Sequence, residues 1–197
     1  MSLSDRIHMH IGQSVETKMH TAEILTDDIC LVSQWLINCL ISENKILCCG
    51  NGASSSLAQL FSSKLLNRHE QDRPGLPAIA IGSDSSVASG ISNSFSFAEL
   101  YARQIKAIGQ PGDILVIITT EGNSPNIIQA IQAAHDREMA VIALTGNDGG
   151  GVTTLLTEHD IELRVPSMIK ALIHEAHISI IHCLCDLIDY QLFEEPQ

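Results

Sequence analysis

The chain has 197 residues, 45% of them hydrophobic, with 11 Lys and Arg against 23 Asp and Glu and a formal net charge of −12. That length and apolar content suit one domain with a filled core, residues 1–197. The acid excess argues against a general nucleic-acid binder, which needs clustered cations for a phosphate backbone. MSLSDRIHMH has no apolar signal core and no stretch reaches the length of a membrane span, so the expectation is a soluble, cytoplasmic protein with no membrane partner.

Taken in chain order, residues 5–24 and 27–42 carry helical patterning, with Thr26-Asp27-Asp28 as a cap between them, so two helices are expected to fill 1–42. An alternation follows over 43–166: strand 45–49, helix 54–69, strand 77–82, helix 96–108, strand 113–118, helix 124–138, strand 140–145, a short helix 151–157 and strand 160–165. A long helix over 168–192 occupies the last segment, 167–197, and the polar tail 194–197 is expected to end it. Strands that are apolar nearly throughout and separated by helices predict an α/β fold, a parallel sheet covered on both faces. With five strands the doubly wound order is 2-1-3-4-5, as in flavodoxin-like folds. Of the six cysteines, most fall in apolar runs and are expected to be buried and reduced, with Cys48 and Cys49 on opposite faces of a strand. Their spacing completes no tetrahedral zinc site.

Two loops carry the functional signal. Gly50-Asn51-Gly52-Ala53-Ser54-Ser55-Ser56 and Thr119-Thr120-Glu121-Gly122-Asn123-Ser124 each follow an apolar strand and open a helix. Glycine permits a tight turn and close approach, hydroxyls donate, and the first helical turn offers unpaired N–H groups to an anion. The plain alternative is two strand-to-helix turns with Ser or Asn as N-caps. The two loops fall after strands 1 and 3, between which the ligand crevice of a 2-1-3-4-5 sheet lies. There is no third glycine at the dinucleotide offset and no P-loop lysine. Hydroxyl cups without a lysine suit a monophosphate ester such as a sugar phosphate.

The chain resembles the sugar isomerase (SIS) domain family through KILCCGNGASS at 45–55, RPGLPAIAI at 73–81, the T-x-GNS segment at 119–124, ALTGNDGG at 143–150 and IHEAHISIIH at 173–182. The likeness covers nearly the whole chain and is to one branch, that of the phosphoheptose isomerases and the related DnaA initiator-associating protein. It implies a homotetramer with a flavodoxin-like core and terminal helices packed between subunits. It also implies a sugar phosphate held by Asn51, Ser54, Ser55, Thr119, Thr120 and Ser124. Isomerases of the branch enolise the sugar with a His and a Glu on the helix after the first loop and a His on the last helix, often around zinc.

The helix after loop 1 reads SSSLAQLFSSKL, so those His and Glu positions hold Leu60 and Lys64, and neither supplies the family's base or metal ligand. Glu121 stands where the isomerases have a serine, and Asn93-Ser94 replaces an Asn-Asp pair. His182 matches the last-helix histidine and His174 the position of a metal-binding Gln. Eight residues apart on a helix they differ by about 80°, so both can face one crevice as weak metal candidates, with His177 one turn from His174; the favoured alternative is histidines kept for packing or hydrogen bonds in an obsolete pocket. The closing CLCDLIDYQLF at 183–193 is more similar to the initiator-associating relative. The expectation is therefore a tetrameric DnaA-binding regulator of replication initiation, catalytically inactive, with a vestigial or regulatory phosphosugar pocket and no cofactor. Its alternative is a sedoheptulose-7-phosphate isomerase, with zinc only in that case. Leu192 and Phe193, apolar residues at the end of the last helix, are the expected partner-binding pair.

Overall fold

A computed structural model describes residues 1–193, so the tail expected to end the last helix, 194–197, lies outside the described residues. The elements run α1 (Leu3–Ile41), β1 (Ile46–Gly50), α2 (Ala53–Leu66), β2 (Ala78–Ala80), α3 (Ser85–Ser94), a 3-10 turn (Phe97–Glu99), α4 (Leu100–Ile108), β3 (Ile114–Ile118), α5 (Pro125–His135), β4 (Ala140–Thr145), α6 (Gly150–Thr153), β5 (Ile161–Arg164) and α7 (Lys170–Phe193). Five parallel strands lie in the order β2-β1-β3-β4-β5. The register pairs Ile46 with Ile114 and Gly50 with Ile118, which brings the carboxyl ends of β1 and β3 level.

Alternate strand residues feed two cores, as a pleated sheet requires. On one face Ile46, Cys48, Ile114, Val116 and Ile118 pack with α1, α2 and α7. On the other, Leu47, Cys49, Leu115 and Ile117 pack with α4 and α5. Cys48 and Cys49 thus face opposite layers and are fully buried.

Four expectations need correction. The two leading helices are one helix of 39 residues, capped at Ser2 by a reciprocal capping box with Asp5. The Thr26 hydroxyl donates back to the Ala22 carbonyl at 2.6 Å instead of capping a new helix. Helix 96–108 is a 3-10 turn followed by α4, and the preceding α3, capped by Asp84, was missed because none of its residues is buried and no apolar stripe announces it. Cys30 and Cys183 are exposed, and only the other four cysteines are buried. Finally, α1 and α7 are each long and apolar enough by composition to cross a membrane. Their apolar residues are interrupted by polar ones, which hid this from a search for continuous runs. The two helices pack on each other and on the sheet.

Candidate functional site

Gly50 ends β1 where a Cβ would sit 2.8 Å from the Ile118 carbonyl oxygen and from the Ser54 backbone, so only glycine lets the first loop pass this close to β3. In the second loop Gly122 has φ +68°, and a Cβ there would collide with the Gly149 carbonyl. The Thr119 hydroxyl accepts from the Gly122 N–H at 3.1 Å. Helix α6 clamps the loop from outside, through Val152 N–H to the Gly122 carbonyl at 3.0 Å and Gly151 N–H to Asn123 Oδ1 at 2.8 Å.

The first loop is joined to the first turn of α5 by a reciprocal amide pair. Asn51 Nδ2 donates to Asn126 Oδ1 at 2.9 Å, and Asn126 Nδ2 returns to Asn51 Oδ1 at 2.8 Å. The Tyr101 hydroxyl donates to the Gly50 carbonyl and lies 3.2 Å from Asn51 Oδ1. Neither Asn126 nor Tyr101 was singled out from the sequence, because both lie outside the loops whose composition carried the signal.

A cavity of about 390 Å³ lies between the loops. Of the expected phosphate set, Asn51, Ser54, Thr119, Thr120 and Ser124 line it, together with Glu121, Asn123 and His174, whereas Ser55 is half-buried on α2 outside the lining. Ser124 sits at the N-cap of α5 without a side-chain capping bond, so its hydroxyl and the helix N-terminus can both serve an anion. Glu121 turns to Lys170 in the first turn of α7, Nζ to Oε2 at 3.0 Å. One helical turn on, His174 Nε2 lies 3.4 Å from the Ser54 hydroxyl. Burial, and then the Lys170 ammonium, hold its pKa below the ordinary 6.5, so the imidazole is neutral at pH 7.

The other expected residues are elsewhere. Leu60 and Lys64 are half-buried on α2 and do not line the cavity. His182 is exposed on α7, its ring 5.7 Å from that of His69. His177 is fully buried, and its Nε2 donates to the Thr145 carbonyl at 2.9 Å. His174 and His182 therefore do not share the crevice, because eight residues advance a helix by about 12 Å along its axis while turning it only about 80°. The donor set does not fit zinc: Leu60 and Lys64 offer no ligand, and among the described residues no group of three or more His, Cys, Asp or Glu is brought together.

Leu192 packs against the core, and the Phe193 ring lies 5.7 Å from the Arg73 guanidinium carbon. Of the expected partner pair, Leu192 is thus partly buried within its own chain and Phe193 remains exposed. A larger cavity, about 470 Å³, lies at the opposite end of the strands. Its two buried carboxylates are already occupied: Asp113 accepts from the Lys45 and Gln110 N–H groups and the Lys45 ammonium, and Asp160 from the Thr157 and Val141 N–H groups. The cup between the loops is the better candidate, with unspent donors at the topological switch point.

A 2-1-3-4-5 sheet with a hydroxyl-lined cup at its switch point defines an α/β ligand-binding domain. The chain belongs to the SIS domain family, whose model matches residues 11–146. It is 52% identical over 193 residues, 98% of both chains, to a phosphoheptose isomerase of Chromohalobacter salexigens. Among solved structures it is similar to a phosphoheptose isomerase from Francisella tularensis (TM-score 0.93, 45% identity, 96% of this chain and 99% of that one). A second, from Neisseria gonorrhoeae, gives a TM-score of 0.90 at 39% identity over 95% and 99% of the two chains.

These relatives overturn the reading as a DnaA-binding replication regulator. That reading rested on Leu60, Lys64 and a few short segments, whereas likeness to proteins named phosphoheptose isomerase extends over the full chain at 48–52% identity.

Proposed function

We propose that the cup binds a phosphorylated sugar and that the chain interconverts the ketose and aldose forms of a phosphorylated heptose. The observation that carries this is the meeting, in one cavity, of the hydroxyls of Ser54, Thr119, Thr120 and Ser124 with a neutral imidazole, His174, in a chain 52% identical to a phosphoheptose isomerase. Hydroxyl and N–H donors at the start of α5 hold the phosphate and fix the open-chain sugar. The His174 imidazole takes a proton from the hydroxyl-bearing carbon beside the carbonyl and returns it to the former carbonyl carbon, while the hydroxyl proton passes to the former carbonyl oxygen through the enediol, so atoms and charge balance. No step is assigned to a metal, because the donors at hand do not fit one.

A second reading, a phosphosugar-binding protein without turnover, is favoured by Leu60 and Lys64 at the positions where the resemblance expects catalytic side chains. A coupled assay with sedoheptulose 7-phosphate, run beside calorimetric binding, separates the two. Turnover is expected to fall at least tenfold in His174→Ala, and the acid limb of the pH profile is expected below pH 6.5. Binding without turnover assigns the chain to the second reading, and absence of binding removes both.

The assembly proposed is a homotetramer held by residues 5–42 and 168–192, in the cytoplasm. Leu3, Ile7, Ile11, Val15 and Met19 recur every four residues along α1, each more than half exposed, and such an apolar stripe needs a partner. The six free cysteines suit a reducing compartment. Sedimentation at tetramer mass at micromolar concentration is the expected result, and monomer mass would refute the assembly.

A further inference from the structure

The cup's lining contains a carboxylate and no cation, yet a cation stands at its rim. Asn51, Ser54, the two threonines and Ser124 are neutral, and Glu121 is the one charged group among the lining residues. A phosphate dianion entering there meets like charge. Lys170 is four residues before His174 on α7, hence on the same face of the helix as a residue that does line the cup. Its ammonium lies 3.0 Å from Glu121, and its charge is felt at the His174 imidazole. It therefore lies within the electrostatic range of the cup while committed to a neighbouring carboxylate.

Resting on the phosphosugar reading of the cup, we infer that Lys170 is the phosphate-binding cation of this site and that Glu121 competes with the ligand for it. In the empty cup the carboxylate of Glu121 holds the ammonium. An incoming phosphate takes Lys170 over, and Glu121 turns to solvent, which it can do because 53% of its side chain is already exposed. Glu121 sets the threshold for occupancy: it weakens binding of every phosphate ester and discriminates against a ligand that cannot reach Lys170. Lys170 contacts the ligand, and Glu121 acts through Lys170 as a positioning residue. Neither role could be seen in the loops alone, because the partner comes from a helix 46 residues beyond the end of the second loop.

The test is calorimetric titration of the full chain with inorganic phosphate and with sedoheptulose 7-phosphate. Glu121→Gln is expected to tighten both about fivefold, as an exposed charge term of this kind allows, with the gain shrinking in 0.5 M salt. In the Glu121→Gln background, Lys170→Met is expected to remove that gain and Lys170→Arg to keep it. Both side chains are more than half exposed, so the thermal midpoint should not move in any of these variants. If Glu121→Gln leaves affinity unchanged, or if Lys170→Met has no effect once Glu121 is neutralised, the competition does not exist. Those outcomes leave the cup itself intact provided that Ser124→Ala still weakens phosphate binding. If the unaltered protein and all variants fail to bind either probe, the phosphosugar reading falls and this inference with it.

Discussion

Replacing Arg73 with methionine is expected to destabilise the fold by about 3–5 kcal/mol, the cost of breaking a buried pair by removing one partner. The Arg73 side chain is fully enclosed. Its Nε donates to Asp189 Oδ1 of α7 at 2.6 Å, Nη1 to the Leu65 and Pro74 carbonyls and Nη2 to the Lys64 carbonyl, each at 2.9 Å. One guanidinium thus neutralises a buried carboxylate and bonds carbonyls in the last turn of α2 that lack an intrahelical partner, Leu65 accepting from the Leu76 N–H as well. Methionine restores much of the volume but none of these bonds, and it leaves Asp189, whose Oδ2 already has no partner, as an isolated buried charge. Urea denaturation at pH 7 is the measurement. The pair Arg73→Met with Asp189→Asn should recover part of the loss, because the uncompensated charge is gone. A midpoint unchanged in the single variant would mean that the ion pair contributes nothing net.

Acidification should cost on the order of 3 kcal/mol through His177 alone. With Nε2–H given to the Thr145 carbonyl, Nδ1 keeps its lone pair inside the core without a partner. Burial pushes the pKa down from 6.5 to about 4, against the upward pull of the Thr145 hydrogen bond and with a smaller push from His174. The folded pKa is the lower one, so above pH 6.5 neither state takes a proton and the full stability is present. Below it the unfolded chain protonates while the native state does not, and stability is lost until about pH 4, at roughly 1.4 kcal/mol per pH unit. Glu162 and Glu175 have lowered pKa values, so their own losses come at the acid end of this window and below it. Denaturation of the parent and of His177→Leu at pH 7 and pH 4.5 isolates the histidine: the difference between the two proteins should narrow at the lower pH. A constant difference would mean that His177 titrates normally.

Strand order and the position of the cup were legible because both follow from local chemistry. ILCC, ILVII and AVIALT are apolar on both faces, which only a covered parallel sheet accommodates, and the two hydroxyl loops directly follow β1 and β3. What was illegible depended on contacts between segments distant in the chain. Thr26 has the composition of a cap but bonds back into its own helix. Asn51 reads as a ligand donor in isolation, yet its amide is paired with Asn126. Glu121 reads as a defect in a phosphate loop until Lys170 is brought beside it. For the histidines a difference of about 80° around the helix is outweighed by about 12 Å along its axis, which puts His182 beside His69 and not in the crevice.

The reciprocal amide pair bears also on how the protein folds. Its members are 75 residues apart, so neither amide finds the other until β1 and β3 have closed a long loop and come into register. The pocket therefore needs both β1 and the start of α5 in place, and no fragment that lacks either can form the pair. An unfolded chain has nothing for the ligand to hold, so occupancy favours the entire native sheet: at a hundredfold excess over Kd a bound molecule adds about 2.7 kcal/mol to global stability.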